Sequence, residues 1–278
     1  MAWGLTERDE MQASDVASFL REVEMPTVQH LLNGCLEPTR QAIRAISAHR
    51  DPQQWVALHL ILGTALRLRA HKLPVSERTS VCLESLAAFE SALAECCERK
   101  PVRQLRNSRI GAHQFSLQTG ACSTGPDGVQ MVLDASRVPV VESRRMLTGA
   151  IHVFMDAAET ADRRTEPRAW IVARSNLGGA LTLLGQRTHG MEGVQRIEQA
   201  IDVLREAAAA AVGEELIEER ASAYVNLSEA FQALADRAMP GERLHYTERA
   251  LDSVSAALSF FAPEEYRWLL ELDRAAFA

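Results

Sequence analysis

The sequence predicts an all-α protein, a helical solenoid of antiparallel helix pairs with extra helices at both ends and one central insertion. Three observations predict it. Ala and Leu dominate a chain of 278 residues in which aromatics are only 5%, and alternating Val, Ile, Thr and Tyr runs are scarce, so composition favours helix over sheet. Pro52-Gln-Gln-Trp55 through Leu62-Gly63-Thr-Ala65-Leu66 recurs as Pro167-Arg-Ala-Trp170 through Leu177-Gly178-Gly-Ala180-Leu181, every matched residue displaced by 115 positions. A third copy follows 50 positions later, where Ala173, Asn176-Leu177, Ala180, Leu184 and Arg187 return as Ala223, Asn226-Leu227, Ala230, Leu234 and Arg237. Internal repeats of such a period stack into solenoids, because one helix pair alone cannot bury its apolar face.

Taken in order, the chain begins with N-terminal helices over residues 1–50. Thr6 caps the first, with Asp9 three residues on, and Met25-Pro26 ends it; Leu31, Leu32, Leu36, Ile43 and Ile46 mark the second, with a break or restart at Pro38. Residues 51–100 form the first clear repeat, its return helix signalled by Ser85-Leu86, Phe89 and Ala92, which stand opposite Ala200-Ile201, Leu204 and Ala207 at the same displacement of 115. Residues 101–166 hold a degenerate repeat, with a first helix expected over Arg103 to Gln118 and a second over Val140 to Ala158, where Met146, Ala150, Ile151, Phe154 and Ala157 keep helical spacing. Between them, 119–139 reads as an insertion: Thr119 to Gly128 is a loop by its Gly and Pro content, and Val129 to Leu133 a short strand or extended arm. Two further repeats occupy 167–212 and 213–262, and residues 263–278, with Tyr266, Trp268, Leu269, Leu270 and Leu272, cap the array.

Asn176-Leu-Gly-Gly-Ala-Leu-Thr-Leu-Leu-Gly185, followed by Ala200-Ile201, Leu204 and Ala207, resembles the tetratricopeptide repeat (TPR) family, whose first helix carries N-L-G-x-A-[YL] and whose second carries A-[IL]-x-x-[FYL]-x-x-A. Small Gly178 and Ala180 on one helix and Ala200 and Ala207 on the other permit close approach, and Leu177, Leu181 and Leu204 fill the remainder. The unit exceeds the ~34 residues of an ordinary tetratricopeptide repeat because Gln186 to Arg196 lengthens the turn, a departure that resembles long-turn bacterial variants often fused to a protease or signalling domain. The resemblance implies that ligands lie on a concave surface made by the first helix of each pair: Leu60, Thr64 and Arg67, then Ser175, Gly179 and Thr182, then Val225, Glu229 and Gln232. Family members that clamp a carboxylate-ended chaperone tail use Lys and Asn there. Asn176 and Asn226 echo the Asn, with a structural role open for both, but the Lys residues are missing, which disfavours that ligand.

Thirty Lys and Arg against 37 Asp and Glu leave a net charge of -7, the wrong sign for a surface that tracks nucleic acid. Arg99 to Arg174 nevertheless carries 12 basic and seven acidic residues, +5, so the rest is -12. Arg103 and Arg106, four and seven residues after Arg99, would share one helix face, either a solvated face or a stripe for an acidic partner. Five cysteines without CxxC spacing and acids in the first ten residues predict a reduced, cytoplasmic protein, without membrane association. No HExxH, G-x-S-x-G or complete phosphate-loop pattern occurs, so neither metal nor cofactor is expected. The expectation is a non-catalytic interaction module binding a protein or peptide, acidic in character, through Arg67, Arg103, Arg106, Ser175, Asn176, Asn226 and Glu229. The alternatives are a sensor of a small ligand or signal peptide, or an enzyme whose site is closed by residues 119–138; a homo-oligomer is compatible with any of these.

Overall fold

The computed structural model describes residues 34–48, 50–99, 105–110, 113–118 and 128–275. These form ten α-helices and one two-stranded sheet, in two compact units. The N-terminal helix expected from Thr6 lies outside the described residues.

The first unit holds α1 (Leu36–Ala45), α2 (Pro52–Ala70), α3 (Val75–Arg99) and α10 (Arg267–Ala275). Asp51 caps α2 by accepting a hydrogen bond from the Gln54 amide at 3.1 Å, and Pro52 takes the first helical position, where its missing N–H costs nothing. From Val56 to Arg67 every α2 residue is buried, as an apolar helix enclosed on several sides must be. Its neighbours are α1, α3 and α10. Against α3, Gly63 meets the Phe89 ring so closely that a Cβ there would lie 2.5 Å from ring carbons, and the Ser85 hydroxyl donates to the Gly63 carbonyl at 2.7 Å. Arg40 of α1 reaches Glu84 of α3 at 2.6 Å.

The second unit comprises β1 (Leu105–Ile110), β2 (His113–Gln118), α4 (Gly128–Ala135), α5 (Val140–Thr160), α6 (Pro167–Gln186), α7 (Gly190–Ala210), α8 (Ile217–Ala235) and α9 (Pro240–Phe261, up to Phe260). Helices α6 and α7 run antiparallel: Ile171 shares a buried cluster with Ala207, Ala208 and Ala211, Gly178 faces Leu204, and Gly185 faces Gly193 and Ile197. Helices α8 and α9 repeat the arrangement, with the Ser228 hydroxyl donating to the Ala250 carbonyl at 3.1 Å and Arg243 Nε to the Ala235 carbonyl at 3.2 Å. Helix α8 also packs on both α6 and α7. At the other side of the pair, Val129, Val132, Leu147, Ile151 and Phe154 of α4 and α5 join Leu177, Leu181, Leu184 and Val203 in one apolar cluster.

The helix starts reproduce the repeat displacements: 52, 167 and 217 for the first helices and 75, 190 and 240 for the second. Trp55 and Trp170 each stand fourth in a helix that begins with proline. Each interacts with the residue one turn on: His59 lies 4.2 Å from the Trp55 ring, centroid to centroid, and the Arg174 guanidinium 5.4 Å from that of Trp170.

Two expectations for residues 101–139 need correction. The segment expected as a helix from Arg103 to Gln118 contains the antiparallel strands β1 and β2, paired from Ile110 with His113 to Leu105 with Gln118. Asn107, Ser108 and Ser116 disfavour helix interiors, and the two residues between the strands, Gly111-Ala112, match a two-residue hairpin connection. The reverse holds for Val129 to Leu133, which belongs to helix α4: Val129, Val132 and Ala135 are buried at helical spacing. The helix expected over Val140 to Ala158 is α5, and the final helix begins after a 3-10 turn at Glu264–Tyr266. No described helix is long and apolar enough to cross a membrane.

Candidate functional site

Helices α6 and α8 present the residues that the repeat register assigns to a ligand surface. Alanine and glycine at the α6–α7 crossing let the pair close tightly; Ser175 and Thr182, three residues before and four after Gly178, share its side of α6, and Asn176 lies on the other side. All three are buried, as are Asn226 and Glu229 of α8. Their hydrogen bonds show what several of them do. The Asn226 amide donates to the Ser175 carbonyl at 3.2 Å and to its hydroxyl at 3.3 Å, tying α8 to α6. The Thr182 hydroxyl donates back along its own helix to the Gly178 carbonyl at 2.9 Å. Thus Asn226 takes the structural option that its sequence position left open: a buried amide donates to a backbone oxygen that water cannot reach.

None of the cationic members of the predicted set belongs to α6 or α8. Arg67 lies in the first compact unit, on α2, and is only 5% exposed; it is no part of an open groove surface. Arg106 belongs to β1 and Arg103 lies outside the described residues. The shared-face argument for these arginines fails where the backbone is a strand, since a spacing of three that returns to one side of a helix alternates sides in a strand. The arginines of α6 are already engaged: Arg168 pairs with Glu219 at 3.2 Å and donates to the Glu215 carbonyl, and Arg174 pairs with Glu206 of α7. Burial pushes the Glu219 carboxyl above the usual carboxylate range, and Arg168 pulls against that shift.

What sequence reasoning missed here is the occupant. The backbone of β2 runs against both α6 and α8, the two first helices of consecutive pairs. The sequence carries a hairpin signal in Gly111-Ala112, flanked by Ile110 on one side and by Phe115 and Leu117 on the other. Also missed was Arg237, whose guanidinium spans the end of α6: its Nη2 donates to the carbonyls of Gly185 and Gln186, both at 2.9 Å, and of Thr188 at 3.4 Å.

Among the described residues no group of three or more His, Cys, Asp or Glu side chains could hold a metal ion. Cys82 and Cys96 are buried. Compared with protein-family models, curated proteins and solved structures, the chain matches none.

Proposed function

We propose that this chain is a TPR-like, non-catalytic protein-interaction module whose α6–α8 face takes up an extended peptide segment. One observation carries the reading: β2, an extended segment, lies along those two helices. The resemblance in the Asn-Leu-Gly register assigns ligands to the same helices, through Ser175, Asn176, Gly179 and Thr182 of α6 and Val225, Asn226, Glu229 and Gln232 of α8. The hairpin is then a stand-in carried by the chain itself, and an outside partner takes the place of β2. Acidic character in the partner is a second feature of the proposal; arginines of the central segment would meet it beyond this face.

The test replaces residues 105–118 by a Gly-Ser linker of equal length and titrates the product with a labelled synthetic peptide covering residues 103–120, read by fluorescence anisotropy. Saturable binding to the replaced chain, and none to the intact chain, is the expected outcome. If the replaced chain keeps its helical circular dichroism and melting transition yet does not bind the peptide, the α6–α8 face is not a peptide site.

A further inference from the structure

A second site lies within the second unit, away from the inner residues above. A cleft of about 270 Å³ opens between α5 and the α6–α7 turn, lined by Arg144, Arg145 and Thr148 from α5, Thr188 from the end of α6, and Glu192 and Arg196 from the first turns of α7. Arg144, Arg145 and Thr148 share one side of α5 through spacings of three and four, and Glu192 and Arg196 are four apart on α7. The volume corresponds to roughly nine waters, room for a small ligand and not for a chain.

We infer that this cleft binds an anion bearing a diphosphate group. Three guanidinium groups face a cavity that contains one carboxylate, and among the described residues no acid pairs with Arg144 or Arg145. Arg196 approaches Glu192 only at 3.9 Å, a loose contact. Arg237 gives the contrast a few residues away, since its guanidinium is spent on three helix-end carbonyls. The structure finds no such employment for Arg144 and Arg145. Both threonine hydroxyls are committed as donors, Thr148 to the Arg144 carbonyl at 2.9 Å and Thr188 to the Leu184 carbonyl at 2.8 Å, so the guanidinium groups are what an anion would meet. Planar guanidinium forks bind phosphate oxygens in two-point contacts, and three of them match the charge and oxygen count of a diphosphate better than those of a single carboxylate. Glu192 opposes the anion and tunes the affinity downward. The inference does not depend on the α6–α8 face binding a peptide.

Calorimetric titration of the full chain with inorganic pyrophosphate, ADP, inorganic phosphate and citrate at low ionic strength tests it. One-site binding of pyrophosphate is expected, tighter than phosphate or citrate and weakening as salt rises; ADP binding more tightly than pyrophosphate identifies a nucleotide source, and pyrophosphate binding alone a free diphosphate. Arg144→Gln with Arg145→Gln should weaken binding roughly tenfold or more with an unchanged melting temperature, whereas Glu192→Gln should tighten it. A control removes the same charge elsewhere on the unit, Arg137→Gln with Arg249→Gln, and should leave affinity nearly intact. The inference is overturned by no pyrophosphate binding at low salt, by citrate binding as tightly as pyrophosphate, or by the control losing as much affinity as the cleft variant.

Discussion

The helix pairs α2–α3 and α6–α7 share one sequence pattern, displaced by 115 residues, yet they close their turns differently. In the first, Arg78 of α3 reaches back with Nη2 to the carbonyls of His71 at 3.4 Å and Leu73 at 3.3 Å, covering the exposed end of α2. The residue at the matching place in the second pair is Gly193. It has no side chain to reach with, and the backbone closes in instead: a Cβ on Gly193 would lie 2.8 Å from the Gly185 oxygen and closer still to that of Thr188. The carbonyls of Gln186 and Thr188, which correspond to those of His71 and Leu73, are served by Arg237, which belongs to the following pair. In the third pair the arginine is back as Arg243, donating to the Ala235 carbonyl at 3.2 Å. Helix-end carbonyls have to be satisfied somewhere. Here the same need is met twice from within a pair, by Arg78 and Arg243, and once from the next pair along, by Arg237, and only the last solution also fastens two pairs together.

Four substitutions can break or sharpen this contrast. The largest effect belongs to Gly193→Ala, because the added methyl meets carbonyl oxygens of the backbone that have no freedom to move aside; it should cost about 2 to 4 kcal/mol in chemical denaturation, and a neutral result would deny the close approach. Next is Arg237→Ala, which strips three carbonyls of a charged donor and should cost about 1 to 3 kcal/mol. Arg243→Ala, removing one bond, should cost less, and equal losses for the two would remove the distinction between a bridging and a local arginine. Ser85→Ala makes the first crossing like the second, where Ala200 stands at the matching place, and should cost about 1 kcal/mol in a thermal melt. A loss several times larger would mean that the hydroxyl bond to Gly63 organises the first crossing in a way the second does without.

The smallest effect is a pH dependence that arises at His59 of the first pair. His59 donates from Nδ1 to the Trp55 carbonyl at 2.8 Å, and burial holds its imidazole below the ordinary 6.5 despite the opposing influence of that bond. The unfolded chain therefore binds the proton first as pH falls. Stability is at its full value above pH 6.5 and declines as pH drops from there towards the lower folded value. Arg174 occupies the matching place in the second pair, which has no such group to titrate. Urea midpoints measured at several pH values should show His59→Gln flattening the decline between neutral and mildly acidic pH. A slope identical to the wild type would assign the pH response to another group.

The crossings were legible in the sequence because packing constrains residue size at a fixed displacement: Gly63, Gly178 and Ser228 occupy one matching place and Ser85, Ala200 and Ala250 another, and so the helix boundaries followed. The hairpin was not, since extrapolating the period of the repeats demanded a helix where Asn107, Ser108 and Gly111-Ala112 argued for strands. The inner residues stand on the helices expected of them, and Asn226 takes the structural role that its position left open. Sequence register says which side of a helix a residue occupies; whether Asn226 meets a ligand or the Ser175 carbonyl depends on how near the neighbouring helix comes, which no single-helix pattern records. The cleft at Arg144, Arg145 and Arg196 escaped notice for a related reason, as its two halves lie on helices separated by α6 in the chain.

Arg237 bears on whether the repeats are interchangeable cassettes. A modular array can be shuffled only if each module is complete at its borders, and the α6–α7 module is not, since its turn borrows a donor from its successor. Spliced after the α2–α3 module, the α8–α9 module would bring Arg237 to carbonyls that Arg78 already occupies, leaving a guanidinium with no acceptor at the new junction. The order of the last two modules is thus written into their chemistry as a matched donor and vacancy, and duplication or deletion of either one alone exposes a mismatch that the other was shaped to complement.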